Sequence, residues 1–383
     1  MKEAANAGGE LELGPGPAPA VGTGASPMRR RIYRDHVPAF VAAALERLYG
    51  NLYSTVLRFT LYGGLAGVST YVEDCDGAAS TILLFRTEGP RVMVLNQQIA
   101  LSAAQLLAFT GAVFDSDSGA QRIAFWAVET ALPSSPYPCR LIYCMEELAV
   151  ALPATEQAYL AKLGKSTRRH VRCDLKRLQQ GTPSFDFRVH LHGNASEAVI
   201  RAIIEFSRIR LATRRKRLDV GEAEVGRIMA LVRTYGFVGV LRLQGQVAAG
   251  VIGFRVGSRL FMHMVGHDGQ YDQLRVGKLC YYLTIAQCIE DGATECRMTG
   301  STHRYKFNFG GARLRLDTLL VYRRRRDAWR DLFYLGRIGG AALVRRTRQW
   351  LLMAEHRDDR LSGLIASCLR PLRALRQGRG AGL

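Results

Sequence analysis

The sequence predicts a mixed α/β protein built from two consecutive sheet-forming units. Apolar residues recur with a period of two in many short runs and with a period of 3.6 in the longer runs between them. At 383 residues the chain is long enough for two domains with cores of their own. Turn signals at Gln244-Gly245 and Gly257-Ser258 separate three strand-like runs in the second unit, which favours an antiparallel meander there.

The pattern divides the chain into five segments. Residues 1–27 are rich in Gly, Ala and Pro, and we expect a disordered leader without a secretory signal. Residues 28–150 read as a first α/β unit that begins with a helix from about Ile32 to Leu48. The remaining segments are a basic bridging helix (151–182), a second α/β unit (183–326) and a basic helical tail (327–383).

Positive charge is concentrated after the first unit. Residues 1–150 hold 11 Lys and Arg against 14 Asp and Glu, whereas the rest hold 42 against 19. This balance predicts an anionic partner, such as a nucleotide cofactor, tRNA, an anionic lipid or an acidic glycan. The basic residues of the bridging helix, such as Arg168, form either a solvated face or a wall toward an anion. The apolar run from Leu332 is too short to span a membrane, and it either packs on the domain or lies on a membrane surface.

The eight cysteines show neither a C-x-x-C pair nor metal-ligand spacing. This pattern predicts reduced thiols in a cytoplasmic protein and implies no metal. Cys280 and Cys288 lie on a predicted helix, and we expect buried packing residues there rather than nucleophiles.

The central feature of the second unit is the junction between its third strand and its long helix. The run from Gly266 to Lys278 precedes an apolar helix from about Arg275 to Glu290, so several backbone N–H groups should point outward there. Such a helix start is either a plain turn or an anion site, and Arg275 and Lys278 add positive charge beside it.

Four stretches carry a resemblance to a known family: Tyr159 to Leu178, Leu241 to Asp268, Tyr271 to Gly292 and Arg304 to Gly311. In this order they resemble the GNAT superfamily of N-acyltransferases. More narrowly, they resemble the CelD-type acetyltransferases of cellulose biosynthesis, which are related to the FemAB peptidoglycan aminoacyltransferases. The resemblance implies a tandem GNAT fold with a degenerate first domain and a catalytic second one. It also implies acetyl-CoA or another acyl-CoA as co-substrate and a small-molecule amine or amino sugar as acceptor.

The resemblance assigns candidate cofactor-binding residues around the strand–helix junction. They are Val265, Gly266, Gln273, Arg275, Val276, Gly277, Lys278 and Tyr282. The chain departs from the family pattern at two points. Only one glycine of the usual pyrophosphate loop is present, at Gly277, and Arg297 and Thr302 stand where CelD-type proteins tend to have acidic residues.

Candidate catalytic residues lie on the third strand and after the last core strand. His263 and His267 are predicted to point the same way, and each is either a structural histidine or the base that deprotonates the amine. Gly266 would permit a bulge in this strand. Tyr305 and Lys306 match the family, which implies that the hydroxyl donates to the leaving group and the ammonium stabilises negative charge.

Three functions follow as alternatives. The resemblance favours an acyl-CoA-dependent N-acyltransferase linked to polysaccharide or cell-envelope synthesis, located in the cytoplasm or at the periphery of the inner membrane. The poor pyrophosphate loop and the basic walls favour a FemAB-type transferase that uses aminoacyl-tRNA, although no long helical arm of the kind found in those enzymes is visible in the sequence. The third alternative is a non-catalytic binder of nucleic acid or of a membrane surface.

Overall fold

The computed structural model describes residues 10–13, 28–75, 77–131, 134–181, 185–213, 220–298 and 304–354. Within these residues the chain forms one mixed sheet of 13 strands with helices packed on its faces. The predicted mixed α/β class is confirmed.

The helices and strands follow one another in two runs. The first half contains β1 (Glu10–Leu13), β2 (Arg29–Tyr33), α1 (Val41–Tyr49), α2 (Val56–Gly63), β3 (Val68–Cys75), β4 (Ala78–Glu88), β5 (Arg91–Val94), α3 (Ala103–Ser116), β6 (Arg122–Val128) and β7 (Cys139–Ala151). The second half contains α4 (Glu156–Lys162), α5 (Lys165–Gly181), β8 (Phe185–Leu191), α6 (Glu197–Thr213), α7 (Glu222–Tyr235), β9 (Gly236–Leu243), β10 (Gln246–Val256), β11 (Arg259–His267), α8 (Val276–Glu290), β12 (Glu295–Met298), α9 (Arg304–Asn308), β13 (Ala312–Tyr322), α10 (Arg325–Arg330) and α11 (Leu332–Ala354).

Two predicted helices have different boundaries in the structure. The helix predicted from Ile32 starts only at Val41, because β2 pairs with β3 and ion pairs such as Arg31 to Asp74, at 2.7 Å, join the two strands. The bridging helix is two helices, α4 and α5. They are separated where Leu163 adopts an extended backbone and buries its side chain in the core.

The predicted disordered leader contains a strand. Glu10–Leu13 forms β1, which pairs antiparallel with β2 at the edge of the sheet. The other residues of the leader, like residues 355–383 of the tail, lie outside the described part of the chain.

The strand order of the sheet reveals an internal repeat. From the centre outward one side runs β13, β6, β5, β4, β3, β2, and the other runs β7, β12, β11, β10, β9, β8. The strand pair β5–β6 is parallel on one side, and the equivalent pair β11–β12 is parallel on the other. Helices α3 and α8 connect these two parallel pairs, so they are equivalent elements of the two repeats.

The two repeats exchange their last strands. β7, the final strand of the first half, pairs with β12 of the second half, while β13 pairs with β6 of the first. β7 and β13 also pair with each other along most of their length. Each half therefore needs a strand from the other to complete its part of the sheet.

Two helical layers enclose the second half of the sheet. Helices α4, α5 and α8 share one apolar cluster with inward residues such as Leu241 and Met262. Helices α6 and α7 share another with Phe254 and Phe261 on the opposite face, where residues of α2 also pack. The strand–helix junction thus lies between two well-packed layers.

Candidate active site

Within the described residues, β12 pairs with only the first part of β11. Their parallel pairing runs from Arg259–Glu295 to Met262–Met298, whereas β11 continues to His267. The carbonyl oxygen of Met298, the last residue of β12, lies 3.4 Å from the Nζ atom of Lys306. The ammonium group of Lys306 is therefore placed at the end of this described pairing, which we call the fork.

A bulge at His263 changes the direction of the side chains along β11. Gly253 of β10 pairs with Met262, but the neighbouring Ile252 pairs with Met264, so His263 is an extra residue in its strand. The bulge allows His263 to lie in a groove with α7 while His267 faces α8. The prediction that the two histidines point the same way is therefore wrong. The bulge is at His263 and not at Gly266.

His267 is held between an acid and the start of α8. Its Nε2 atom lies 2.8 Å from Asp272 Oδ1, which favours the tautomer that carries the proton on Nε2. Its Nδ1 atom is buried, and no hydrogen-bond partner for it occurs within the described residues. A Cβ atom at Gly277 would lie 2.7 Å from Nδ1, so only glycine leaves room for the ring in this position.

Helix α8 begins without a side-chain cap. Arg275, its N-cap residue, has a left-handed backbone with φ 53° and ψ 32°, and its carbonyl accepts from the N–H groups of Lys278 and Leu279 at 3.0 and 3.2 Å. No hydrogen bond among the described residues engages the N–H of Val276 or Gly277. A helix N-terminus with two such donors attracts an anion.

The equivalent helix of the first half has a side-chain cap. At the start of α3 the side chain of Ser102 accepts from the N–H of Gln105, and the side chain of Gln105 accepts from the N–H of Ser102. This capping box engages the N–H groups of the N-cap residue and of the third helical residue, whereas no hydrogen bond among the described residues engages those of Ala103 and Ala104. The two helix starts therefore differ in the side-chain cap and in the cations Arg275 and Lys278, which favour an anion site at α8.

A cleft of about 430 Å³ lies at the start of α8. Its walls are formed by His170, Arg210, Val265, His267, Asp272, Arg275, Gly277, Lys278, Tyr281 and Phe309. Three of these residues are cations. The guanidinium group of Arg275 lies 3.8 Å from the carboxylate of Asp174. A second groove alongside shares Arg275 and Lys278 and is lined by α5. The cleft therefore combines positive charge with unoccupied backbone donors.

The basic helix α5 meets this cleft through few of its residues. His170 lines the cleft, and Thr167 lines the adjoining groove. Arg168 instead donates to the carbonyl of Ala161 at 2.9 Å and so caps the end of α4. Part of the basic face therefore has a structural role.

Lys306 of α9 is buried near the carboxyl group of Glu147 on β7. Burial lowers the pKa of Lys306 to about 8, although the attraction of Glu147 acts in the opposite direction. Glu147 on β7 is 1% exposed, and burial raises the pKa of its carboxyl group. Arg297, at 3.4 Å, acts in the opposite direction and lowers this pKa. The Oε1 atom of Glu147 has no hydrogen-bond partner in the described part of the chain. A lysine with such a pKa can gain and lose a proton near neutral pH.

The predicted cofactor-binding residues separate into two groups. Val265, Arg275, Gly277 and Lys278 line the cleft. Gln273 is exposed in the turn before α8, and the side chain of Val276 is buried in the core, which leaves only its backbone N–H at the site. Gly266 is not a cleft residue either. It permits close packing of α6, since a Cβ there would lie 2.2 Å from the carbonyl oxygen of Ile203.

Tyr282 does not line the cleft, which corrects the prediction. Its hydroxyl donates to Glu156 Oε1 at 2.7 Å, and its ring stacks on that of Tyr159. Tyr281 lines the cleft instead. The two side chains diverge because successive residues of a helix are rotated by about 100°. For Tyr305 the structure describes only the backbone, within α9.

Several residues of this region were not singled out from the sequence. Asp272 and Phe309 lie in segments that the sequence did highlight, but Glu147 comes from the first half through the strand exchange. The one signal for Glu147 was a pair of acidic residues within the apolar strand run of β7. Arg297 pairs with Glu147 and Glu295, so it forms part of a buried ion-pair network.

The two cysteines of α8 have the packing role that the sequence predicts for them. Cys280 and Cys288 are buried, and burial raises the pKa of each thiol to about 12. Across the ranges that the structure describes, no group of three or more His, Cys, Asp or Glu side chains is arranged to hold a metal ion. In the same ranges, no helix combines the length and the apolar composition required to cross a bilayer.

Comparison with protein families identifies this region. Residues 165–307 match the family of the acetyltransferase (GNAT) domain. This part of the chain is similar to a GNAT acetyltransferase domain. The match includes the fork, α8 and Lys306, and it confirms at the level of the domain the predicted class of GNAT-type acyltransferase. No curated protein matches the chain by sequence.

Comparison with solved structures extends the likeness to both halves. The crystal structure of FemX aligns with 78% of this chain and 98% of its own, with a TM-score of 0.57 and 11% identity. A lysylphosphatidylglycerol synthetase (L-PGS) from Bacillus licheniformis aligns with 76% of this chain and 93% of its own, at 15% identity and a TM-score of 0.44. A tandem GNAT protein from the clavulanic acid pathway aligns with 74% and 93%, at 12% identity and a TM-score of 0.33. At this identity the FemX likeness shows that the fold is shared.

Proposed function

We propose that the protein transfers an acyl group from acyl-CoA to an amine. The observation that carries the proposal is the open N-terminus of α8, where two backbone N–H groups and the cations Arg275 and Lys278 meet at one cleft. The diphosphate of coenzyme A is an anion of the kind that such a site holds. The start of α3 supports the assignment, because it carries a side-chain cap and no Lys or Arg in its first turn.

Acyl transfer requires that the developing oxygen anion is stabilised and that the leaving group is protonated. The amine nitrogen attacks the thioester carbon, the carbon–sulfur bond breaks, the thiolate takes a proton and the amine loses one. Lys306 at the fork stabilises the oxygen anion and supplies the proton to the leaving sulfur. The neighbouring Tyr305 is assigned to the same leaving group, as the family resemblance implies.

The two histidines serve opposite sides of the strand. His267 faces the cleft, where it orients the start of α8 on the donor side. His263 is exposed in a groove of about 510 Å³ that Glu224 and Arg227 of α7 also line. We assign this groove to the acceptor and His263 to the deprotonation of the amine. The resemblance to CelD-type acetyltransferases suggests an amino sugar of polysaccharide or cell-envelope synthesis as acceptor.

A FemAB-type transfer from aminoacyl-tRNA is the second candidate. The fold shared with FemX and the exposed basic residues of α5 favour it. The bond that breaks would then be an ester, while the roles of the fork and of Lys306 would stay the same. The donor distinguishes the two functions.

A thermal-shift titration with acetyl-CoA, longer acyl-CoAs and aminoacyl-tRNA tests the proposal. A donor present at 100 times its dissociation constant should stabilise the fold by about 2.7 kcal/mol. Lys278→Glu should reduce the shift with acyl-CoA, whereas Arg188→Glu, the same charge change on the exposed edge strand β8, should not. Stabilisation by aminoacyl-tRNA alone would establish the second candidate. No shift with any donor would overturn both.

A further inference from the structure

We propose that α10 and α11 bind an anionic membrane surface. The inference is separate from acyl transfer, since neither helix contributes a residue to the cleft. It rests on a set of exposed apolar side chains along two helices, on the charge around them and on the inward direction of the nearby acids.

Helix α11 is apolar on two opposite faces. One face packs on the sheet through residues such as Leu335, Ile338 and Ala342, which contact the cluster around Leu320 and Tyr322 or are buried. The other carries large apolar side chains that contact solvent. With Trp329 of α10 they form the apolar stripe: Trp329, Leu332, Phe333, Leu343, Val344 and Trp350.

The apolar stripe is unusually exposed for side chains of this size. Phe333 is 88% exposed, Trp329 71% and Val344 67%. Phe333 and Val344 are eleven positions apart, which places them within about 20° of each other around a helix of 3.6 residues per turn. Clustered apolar exposure of this kind marks an interaction surface, whereas isolated exposed residues do not.

The charge around the stripe selects the partner. Residues Leu332–Ala354 contain no Asp or Glu, and the exposed side chains of Arg337 and Arg346 flank the stripe. The two acids of the preceding turn point inward. Asp327 is 6% exposed and accepts from the backbone N–H of Arg324, while Asp331 pairs with Arg122 and accepts from the hydroxyl of Tyr322. An apolar stripe with tryptophans and flanking arginines matches the boundary between lipid headgroups and acyl chains of an anionic bilayer.

Vesicle co-sedimentation of the full chain tests this proposal. The protein should bind phosphatidylcholine vesicles that contain phosphatidylglycerol, bind less at high salt, and bind pure phosphatidylcholine weakly. The double variant Phe333→Ser/Val344→Ser should weaken binding by about tenfold or more, since two buried side chains are lost. Arg337→Glu/Arg346→Glu should weaken binding to anionic vesicles only.

A matched control separates the stripe from general apolar exposure. Phe40 and Met93 are exposed on the first half, at 48% and 40%, and Phe40→Ser/Met93→Ser should leave vesicle binding unchanged. Equal loss in this control would contradict the proposal. Light scattering without vesicles provides the other decisive result. The wild type could form a dimer that Phe333→Ser/Val344→Ser dissociates, and at the same time fail to bind vesicles. This result would show that the stripe pairs with a second copy, and it would overturn the proposal.

Discussion

Gly277 lies directly against the imidazole of His267. A Cβ atom added at Gly277 would lie only 2.7 Å from Nδ1 and 3.1 Å from Cγ of that ring. In an open helix, Gly→Ala stabilises by about 1 kcal/mol. Gly277→Ala should instead destabilise the fold, by roughly 1 to 3 kcal/mol, because the ring must move away from Asp272. It should also weaken donor binding. Chemical denaturation and a donor titration measure the two effects.

Gly226 provides the matched control for this substitution. It lies in α7, and apart from its chain neighbours and the adjacent helix backbone, no described atom lies within 4 Å of the position that an alanine Cβ would take. Gly226→Ala should therefore stabilise the protein and leave donor binding unchanged. Stabilisation by both substitutions would show that the contact between Gly277 and His267 does not constrain the site.

The pKa of Lys306 predicts how the rate depends on pH. Burial lowers this pKa to about 8, so the ammonium loses its proton as the pH rises through that value. If the protonated form supplies the proton to the leaving group, the transfer rate should fall above about pH 8. Lys306→Gln should lower the rate at every pH and remove this limb. A rate that rises through pH 8 would show that the neutral amine acts as a base instead.

Glu147 should control the position of that limb. Its buried carboxylate attracts the ammonium of Lys306 and so raises the pKa of the lysine against the effect of burial. Glu147→Gln removes this attraction, so the limb should move to lower pH while Lys306 remains in place. The pH–rate profiles of the wild type and the variant are compared at saturating donor. Coincident profiles would contradict a link between the two side chains.

The two histidines should affect different substrates. His267→Ala should raise the dissociation constant of the donor, because His267 packs against the start of α8. His263→Ala should leave donor binding unchanged and reduce turnover, most strongly at pH values where the imidazole of His263 is neutral and the acceptor amine is still protonated. Calorimetric titration and steady-state kinetics separate the two effects. Equal loss of donor binding in both variants would contradict the assignment of opposite sides.

The strand exchange predicts that the halves do not fold separately. β7 pairs with β12 and β13, so a chain that starts after Ala151 lacks the central strand of the sheet. Such a fragment should be insoluble or unfolded by circular dichroism, and co-expression with residues 1–151 should restore a soluble complex. A stable, cooperatively unfolding fragment on its own would show that the exchange is dispensable.

The sequence predicts the local elements of the second half well. The runs that become β9, β10 and β11 alternate cleanly, and the long apolar helix begins within one residue of its predicted start. The tandem architecture also follows from the family resemblance. These features depend on periodicity and turn residues, which are local properties of the chain.

The pairing of distant strands could not be predicted in the same way. Nothing in the run of β7 distinguishes a strand that joins its own half from one that joins the other, so the neighbourhood of Glu147 and Lys306 emerged only in three dimensions. The bulge at His263 is also non-local, because it arises from the register between β10 and β11. A shift of one residue is enough to turn a side chain to the other face of a sheet.

Hydrogen exchange with and without acetyl-CoA tests the central claim most directly. Bound donor should protect the backbone N–H groups of Val276 and Gly277, for which no hydrogen bond occurs in the described part of the protein. The equivalent start of α3, at Ala103 and Ala104, should be unaffected, because it has a side-chain cap and no Lys or Arg in its first turn. Protection at α3 alone, or none at the start of α8 under saturating donor, would contradict the claim that the second half binds acyl-CoA at this helix.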